Sequence, residues 1–359
     1  LRGKKIKRKG KGEMDMKRSW RLFWTIGLLL FVVAIIPGTG FAASKKIRIS
    51  QGNSMTHPQG VGLRIFKEYV EKNTGGKLEV AIYPNSQLGG ERESVEQVKN
   101  GILEMATACA GPASTFNKNF MVLDIPFLFD NYEEAWMTID SEAGRALLNS
   151  SEQVGLKGLA FLENGFRHVT NTKRPIVKLE DYQGLKIRTM EAPMHMENFR
   201  QLGANPTPVP WPELYMALQQ KIADGQENPL NNIWEVKMYE VQTYCSLTGH
   251  IYDPLVLLAN LKWFNSLPKD QQIIIEQGAI LAQNYSRFIN KSREDELRRL
   301  LTAKGLKIND ITKEEKARMR QASQKAVIEA VKKNGVPEKF ITDWLKGIEV
   351  VREDIASGL

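Results

Sequence analysis

The segment Gly184–Leu230 reads GLKIRTMEAPMHMENFRQLGANPTPVPWPELYMALQQKIADGQENPL, and the order of elements in it decides the architecture. Leu185–Thr189 alternates as a strand, with Leu185 and Ile187 on one face and Lys186 and Arg188 on the other. A helix over Met194–Leu202 follows. A second helix, Glu213–Ala223, opens at Pro212, where a missing N–H costs nothing, and stops at Asp224-Gly225. The same alternation extends upstream. A strand at Lys46–Ser50 leads into a polar loop, Gln51–His57, and a helix over Gly60–Lys72. Leu78, Val80 and Ile82 mark the next strand. A helix at Glu91–Asn100 capped by Gly101 follows, with further strands at Leu103–Ala108 and Leu159–Leu162. Apolar strands alternating with helices predict an α/β protein whose parallel sheet is covered on both faces. Downstream, Lys269–Lys304 reads as one long helix broken in composition only by Gly278. Helical segments at Thr312–Asn334 and Glu338–Ile355 complete the chain. Repeats and low-complexity linkers are missing from the sequence, which predicts interwoven domains.

The chain has 359 residues, enough for two domains, and is 42% hydrophobic and 25% charged. That composition excludes a disordered chain, a collagen-like rod and a multi-span membrane protein. The formal charge of +9 is concentrated before residue 44, in Arg2, Lys4, Lys5, Lys7, Arg8, Lys11, Lys17, Arg18 and Arg21, so the body is near neutral and no nucleic-acid partner is expected. The same leader reads as an export signal. Leu22–Ile36 is uncharged for fifteen residues, Pro37-Gly38 breaks it, and small residues follow. Such a run makes a helix of about 22 Å, short of the roughly 30 Å hydrocarbon core, so cleavage near Ala42/Ala43 and a periplasmic location are expected, with translation starting at Met14 or Met16. An uncleaved leader is the alternative, and would make the body a membrane-tethered ligand sensor.

Sequence motifs for phosphate loops, nucleophile elbows, HExxH zinc sites and dinucleotide binding are absent, and no nucleophile–base pair nominates itself. An exported enzyme acting on a carboxylate compound is the less favoured reading; no catalytic residue and no cofactor is assigned. Cys109 and Cys245 have no metal or redox spacing and read as separate thiols, although export would permit a bridge. The four histidines give no metal site. The residue that draws notice is Arg188. Ligands of open α/β sheets bind beyond the carboxyl ends of strands, and a guanidinium there can hold a carboxylate by two parallel hydrogen bonds. Asn228, held extended by Pro229, can donate and accept, and Trp211 between two prolines offers a flat apolar wall.

Five segments then carry a resemblance: YPNSQLGGERE (Tyr83–Glu93), ENGFRHVTN (Glu163–Asn171), GLKIR (Gly184–Arg188), LGANPTPVPWPELYMALQQ (Leu202–Gln220) and DGQENP (Asp224–Pro229). In this order and spacing, over residues 45–350, the chain resembles the DctP-like solute receptors of tripartite ATP-independent periplasmic (TRAP) transporters. The resemblance implies a periplasmic-binding-protein-like fold of two α/β domains that close on a small organic acid. It implies domains of 44–164 plus 254–293 and of 165–253 plus 294–359, with the long helix across both. Arg188 would clamp the carboxylate, with Arg167 as a second arginine and Asn228 bonding the same region. Trp211 would form the wall, followed here by Pro212 where relatives carry Ser. Gln51, Asn53, Glu91 and Cys109 would meet the ligand's far end. Alternatives stand beside two of these: Arg167 as a surface residue near Lys173 and Arg174, and Glu91 as a helix cap. The implied partners are the small and large membrane subunits of the transporter; a monomer is the default expectation, since no sequence feature reads out an oligomeric state. C4-dicarboxylates, uronates and other sugar acids, and 2-oxo or hydroxy acids all satisfy one clamped carboxylate.

Overall fold

A computed structural model of the chain describes residues 44–358 and Gly3; the leader and its expected cleavage point lie outside the described residues. The first lobe begins with β1 (Lys45–Ser50), α1 (Pro58–Asn73), β2 (Leu78–Tyr83), α2 (Glu91–Lys99), β3 (Met105–Cys109) and α3 (Ala110–Ser114). It continues with α4 (Tyr132–Asp140), α5 (Glu142–Asn149) and β4 (Leu156–Phe166). The second is built from β5 (His168–Asn171), β6 (Lys186–Thr189), α6 (Pro193–Gln201), β7 (Asn205–Pro208), α7 (Leu214–Gln219), β8 (Gly225–Asn228), α8 (Leu230–Glu235) and β9 (Tyr244–Leu247). The chain then returns through β10 (Tyr252–Asn260) and α9 (Leu261–Asn265). It ends with α10 (Lys269–Ala303), β11 (Lys307–Asp310), α11 (Lys313–Lys333) and α12 (Glu338–Ser357).

Two sheets result, ordered β2-β1-β3-β10-β4 and β11-β9-β5-β8-β6-β7. Neither is purely parallel, which corrects the expectation of a parallel sheet. The β1–β2 and β1–β3 pairs are parallel, but β10 runs antiparallel to β3 and β4, and β5 runs antiparallel to β8 and β9. The reason lies in the crossings between lobes. Strand β4 leads into β5 with only Arg167 between them, and β9 leads back into β10 after four residues. These two long strands run side by side in opposite directions, and Arg167 N donates to Ile251 O at 2.8 Å where they cross.

In β1 the pleat puts Ile47 and Ile49 together on a buried face, while Lys46 and Arg48 of the other face are exposed and half-buried. Helix α1 starts at Pro58, with the His57 ring accepting from Gln59 N as its cap. The 35 residues of α10 make a rod of about 52 Å. Its first half packs on α1 and β4 and its second on α8 and β11, so it spans both lobes. Two glycines let α1 and α10 approach. A Cβ on Gly62 would lie 2.5 Å from Ala282 O, and one on Gly278 would lie 3.2 Å from Phe66 and Val70 carbons.

The two carboxyl-terminal helices pack against segments of both sheets. Met319 of α11 packs with Tyr182 and Phe199, but Val327 and Val331 pack with Phe120 and Val122 of the first lobe. Helix α12 lies on α4 and α5, its Ile341, Trp344 and Ile348 stripe buried in the same core. The apolar face of α12 sets its address.

Candidate ligand-binding site

Arg188 lies near the end of β6, opposite Gln226 of β8 on one side and Thr207 of β7 on the other. Alternation places Lys186 and Arg188 on one face; Lys186 is exposed, whereas Arg188 is fully buried. Its Nε donates to Val209 O at 2.8 Å, while Nη1 and Nη2 are buried with no hydrogen-bond partner in the protein. Burial lowers its pKa to about 10, against the opposing pull of Glu227 and with Arg167 adding repulsion. A buried donor left unpaired costs about 1–3 kcal/mol, and more on a charged group. The two free amino groups therefore form a fork that fits the two oxygens of a carboxylate.

Arg167 sits beside it at the crossing of the lobes, equally buried. Its Nε and Nη2 reach the two carboxylate oxygens of Glu227, Nη2 also donates to Glu227 O at 2.5 Å, and Nη1 donates to Asp253 Oδ2 at 2.5 Å. Arg167 is thus neither at the surface nor a free fork: four of its N–H donations go to two acids, and it braces the floor of the cleft. Glu227 is the hub of this floor. His250 Nε2 lies 3.2 Å from its Oε2, and His195 Nδ1 lies 3.4 Å from its Oε1. Despite burial, Arg167 and His195 hold its carboxyl well below the usual range. His195 also meets Asp124 Oδ1 at 3.2 Å; Glu227 and Asp124 overcome burial and raise its pKa to about 9.

The first lobe brings the opposite wall. Glu91 Oε1 accepts from Cys109 N at 3.2 Å, and burial, followed by the nearby Asp253, pushes its carboxyl up to about 7. Cys109 is buried, its thiol raised well above the usual value by burial, and its Sγ accepts from Asn164 Nδ2 at 3.6 Å. A Cβ on Gly111, two residues past Cys109, would stand 3.5 Å from Met190 Cε, two residues past Arg188, so the ends of β3 and β6 adjoin. Trp211 Nε1 donates across the cleft to Gly52 O at 3.2 Å. A Cβ on Gly52 would stand 3.4 Å from Trp211 Cδ1 and 3.8 Å from Glu91 Cγ, so tryptophan, loop and carboxylate adjoin. Gln51 Nε2 donates to Met55 Sδ at 3.1 Å and its Oε1 has no partner. Asn228 is buried, with Nδ2 donating to Gln226 Oε1 at 2.5 Å.

Asn53 differs. Its Nδ2 donates to Gln59 Oε1 at 2.9 Å and its Oδ1 accepts from Asn232 Nδ2 at 3.4 Å, which makes it a tie between the lobes. Thr56 Oγ1 to Glu235 Oε1 at 2.9 Å and His57 Nε2 to Asn232 Oδ1 at 3.2 Å add to that tie. Sequence reasoning missed Glu227, Asp253, His195 and Asn164. Glu227 and Asn164 stood inside quoted motifs, whereas nothing near Asp253 marks it. Both cysteines are free, on β3 and β9 of different sheets. Among the described residues no group of three His, Cys, Asp or Glu is arranged for a metal ion. A cavity of about 290 Å³ lined by Phe129, Tyr132, Phe166 and Lys316 includes none of the expected ligand residues in its lining.

Two lobes joined by crossing strands and a spanning helix, with a buried guanidinium whose two amino groups have no protein partner, are the features of a solute-binding protein. Residues 49–334 match the family described as "Bacterial extracellular solute-binding protein, family 7", DctP, and the chain belongs to that family. A solute-binding protein of Verminephrobacter eiseniae is 40% identical over 256 residues, covering 71% of this chain and 75% of that one. The C4-dicarboxylate-binding periplasmic protein DctP of Rhodobacter capsulatus is 33% identical over 264 residues, covering 72% and 78%. Among solved structures, the sugar acid binding protein DctPAm of Advenella mimigardefordensis in complex with galactonate superposes with a TM-score of 0.82. It is 33% identical and covers 86% of this chain and 99% of that one. These relatives are binding proteins rather than enzymes. Among the described residues no helix is long and apolar enough to cross a membrane.

Proposed function

We propose that this protein is an extracytoplasmic receptor that captures a small organic acid between its lobes and delivers it to the small and large membrane subunits of a TRAP-type transporter. The observation that carries this reading is Arg188, fully buried with Nη1 and Nη2 unpartnered. A desolvated cation of this kind is stabilised by an anion that fills both donors. The relatives that bind C4-dicarboxylates and galactonate take ligands that share a carboxylate. Asn228 lies one strand away from Arg188, Trp211 covers the mouth, and Arg167 fixes the floor. Ligand contacts from both lobes favour the closed form only through its better fit to that form. Export to the periplasm places the receptor where its cargo arrives, and no chemical change of the cargo is part of the cycle.

Titration calorimetry on the purified protein with an organic-acid panel tests this. Binding in the micromolar range corresponds to about −8 kcal/mol, and loss of a buried charged partner costs about 2–5 kcal/mol. Arg188→Ala is expected to abolish measurable binding, and the bound acid is expected to be recovered unaltered by mass spectrometry. Unchanged affinity in Arg188→Ala refutes the clamp; turnover of the acid refutes the receptor role.

A further inference from the structure

Helix α10 turns Ile275, Ala279 and Ala282 to the interior, as an amphipathic helix does. Its outer face is apolar as well. Ile273 and Ile280 are each 52% exposed, Tyr285 47% and Phe288 67%. Nine large apolar side chains are exposed among the described residues, and four of them lie on this one helix, which makes a patch rather than scatter. We propose that this face pairs two copies of the chain, α10 against α10, antiparallel about a two-fold axis between Ile280 and Leu281.

The order of residues along the helix supplies the register. Ile273, Ile280 and Phe288 recur every seven or eight residues, two helical turns, and form one stripe about 22 Å long. Gln277 and Asn284 between them are exposed too, so the stripe is open along its length. Reversal about the axis sets Ile273 against Phe288 of the second copy, Ile280 against Leu281, and Gln277 against Asn284. The charges at the two ends also match, because exposed Asp270 meets exposed Lys291. Lys291 lies 3.4 Å from Glu294 of its own helix, an exposed contact that uses one of its three donors. Glu276 meets Tyr285, whose hydroxyl can donate to its carboxylate. From Lys269 to Ser292 no like charges are opposed. A slip of seven residues one way would put Ile273 on Asp295, and the other way Phe288 on Ser266. Apolar pairs at the centre with opposite charges at the ends make the surface self-complementary, which is what an isologous interface requires.

Sedimentation velocity on the purified protein tests the proposal. One helix face is a small interface, so dissociation is expected on the order of tens of micromolar, with dimer prevailing at about 1 mM and monomer at about 1 μM. Phe288→Asp and Ile280→Asp are expected to raise the dissociation constant at least about tenfold, with Tm and ligand affinity unchanged. Asp270→Lys and Lys291→Asp each bring like charges together and are expected to weaken the dimer about fivefold. Mixed in equal amounts, these two variants have opposite charges at both ends, and the dimer is expected to return. A protein that stays monomeric at about 1 mM overturns the proposal. A dimer indifferent to Phe288→Asp and Ile280→Asp overturns it as well, since another face then makes the contact. So does a monomer whose Phe288→Asp variant loses uptake through the membrane subunits, which gives this face to the transporter.

Discussion

Arg167 and Glu227 face each other fork to fork, both side chains fully buried, at the point where the chain passes from one lobe to the other. The bond does more than fill space. Glu227 also meets His195 and His250, and Arg167 also holds Asp253, so one ion pair fixes a floor contributed by four different segments. Removing one partner strands the other in a dry site. Glu227→Ala is expected to cost about 3–5 kcal/mol of stability, seen as a lower urea midpoint, and Glu227→Gln to recover part of it.

Replacing Arg188 acts differently, because its Nη donors have no protein partner. Arg188→Ala is expected to leave the urea midpoint unchanged or higher, while abolishing ligand binding. Arg188→Lys keeps the charge but loses the planar fork, and is expected to bind at least about tenfold more weakly than wild type.

The His195 proton links stability to pH. Its folded pKa is raised to about 9 from 6.5 by Glu227 and Asp124. A raised value means that its stabilisation is complete below pH 6.5 and is lost as pH rises through about 9. Thermal melts are expected to show a falling Tm between those limits, and His195→Gln to flatten that part of the profile.

Trp211 touches the first lobe through one hydrogen bond to Gly52 O and is only partly buried. Trp211→Ala is expected to weaken ligand binding by about tenfold or more with little change in Tm. Trp211→Phe keeps the apolar face without the N–H, and its affinity should fall between the two.

The α1–α10 contact depends on a missing side chain. A Cβ at Gly62 would lie 2.5 Å from the Ala282 carbonyl oxygen, which the helix backbone cannot move alone. Gly62→Ala is expected to cost about 1–3 kcal/mol, read from urea denaturation.

Local elements were legible in the sequence because their signals are local. Helix α2 ends where Gly101 supplies a left-handed residue, at φ 74°, and α10 runs within one residue of its expected span. Helix α7 is shorter than expected. It ends at Gln219 because Lys221 turns left-handed, at φ 59°, and Ile222 N bonds back to Ala217 O, a stop that no glycine announces. The site was legible where residue type and strand position coincide, as at Arg188. It was illegible where the partner arrives from far along the chain. Asp253 reaches Arg167 across 86 positions, and nothing in Tyr252-Asp253-Pro254 marks an acid that braces an arginine. The antiparallel crossings escaped for the same reason: strand direction is decided by which lobe the chain must re-enter.

The docking of Glu338–Ser357 on Tyr132–Asp140 and Glu142–Asn149 has a consequence for biogenesis. The amino-terminal half leaves the ribosome well before Glu338–Ser357, yet its interior is closed by that distant helix, with Trp344 as the plug. That core stays open until residues roughly two hundred positions further along the chain have been made, so its folding cannot run strictly in step with synthesis.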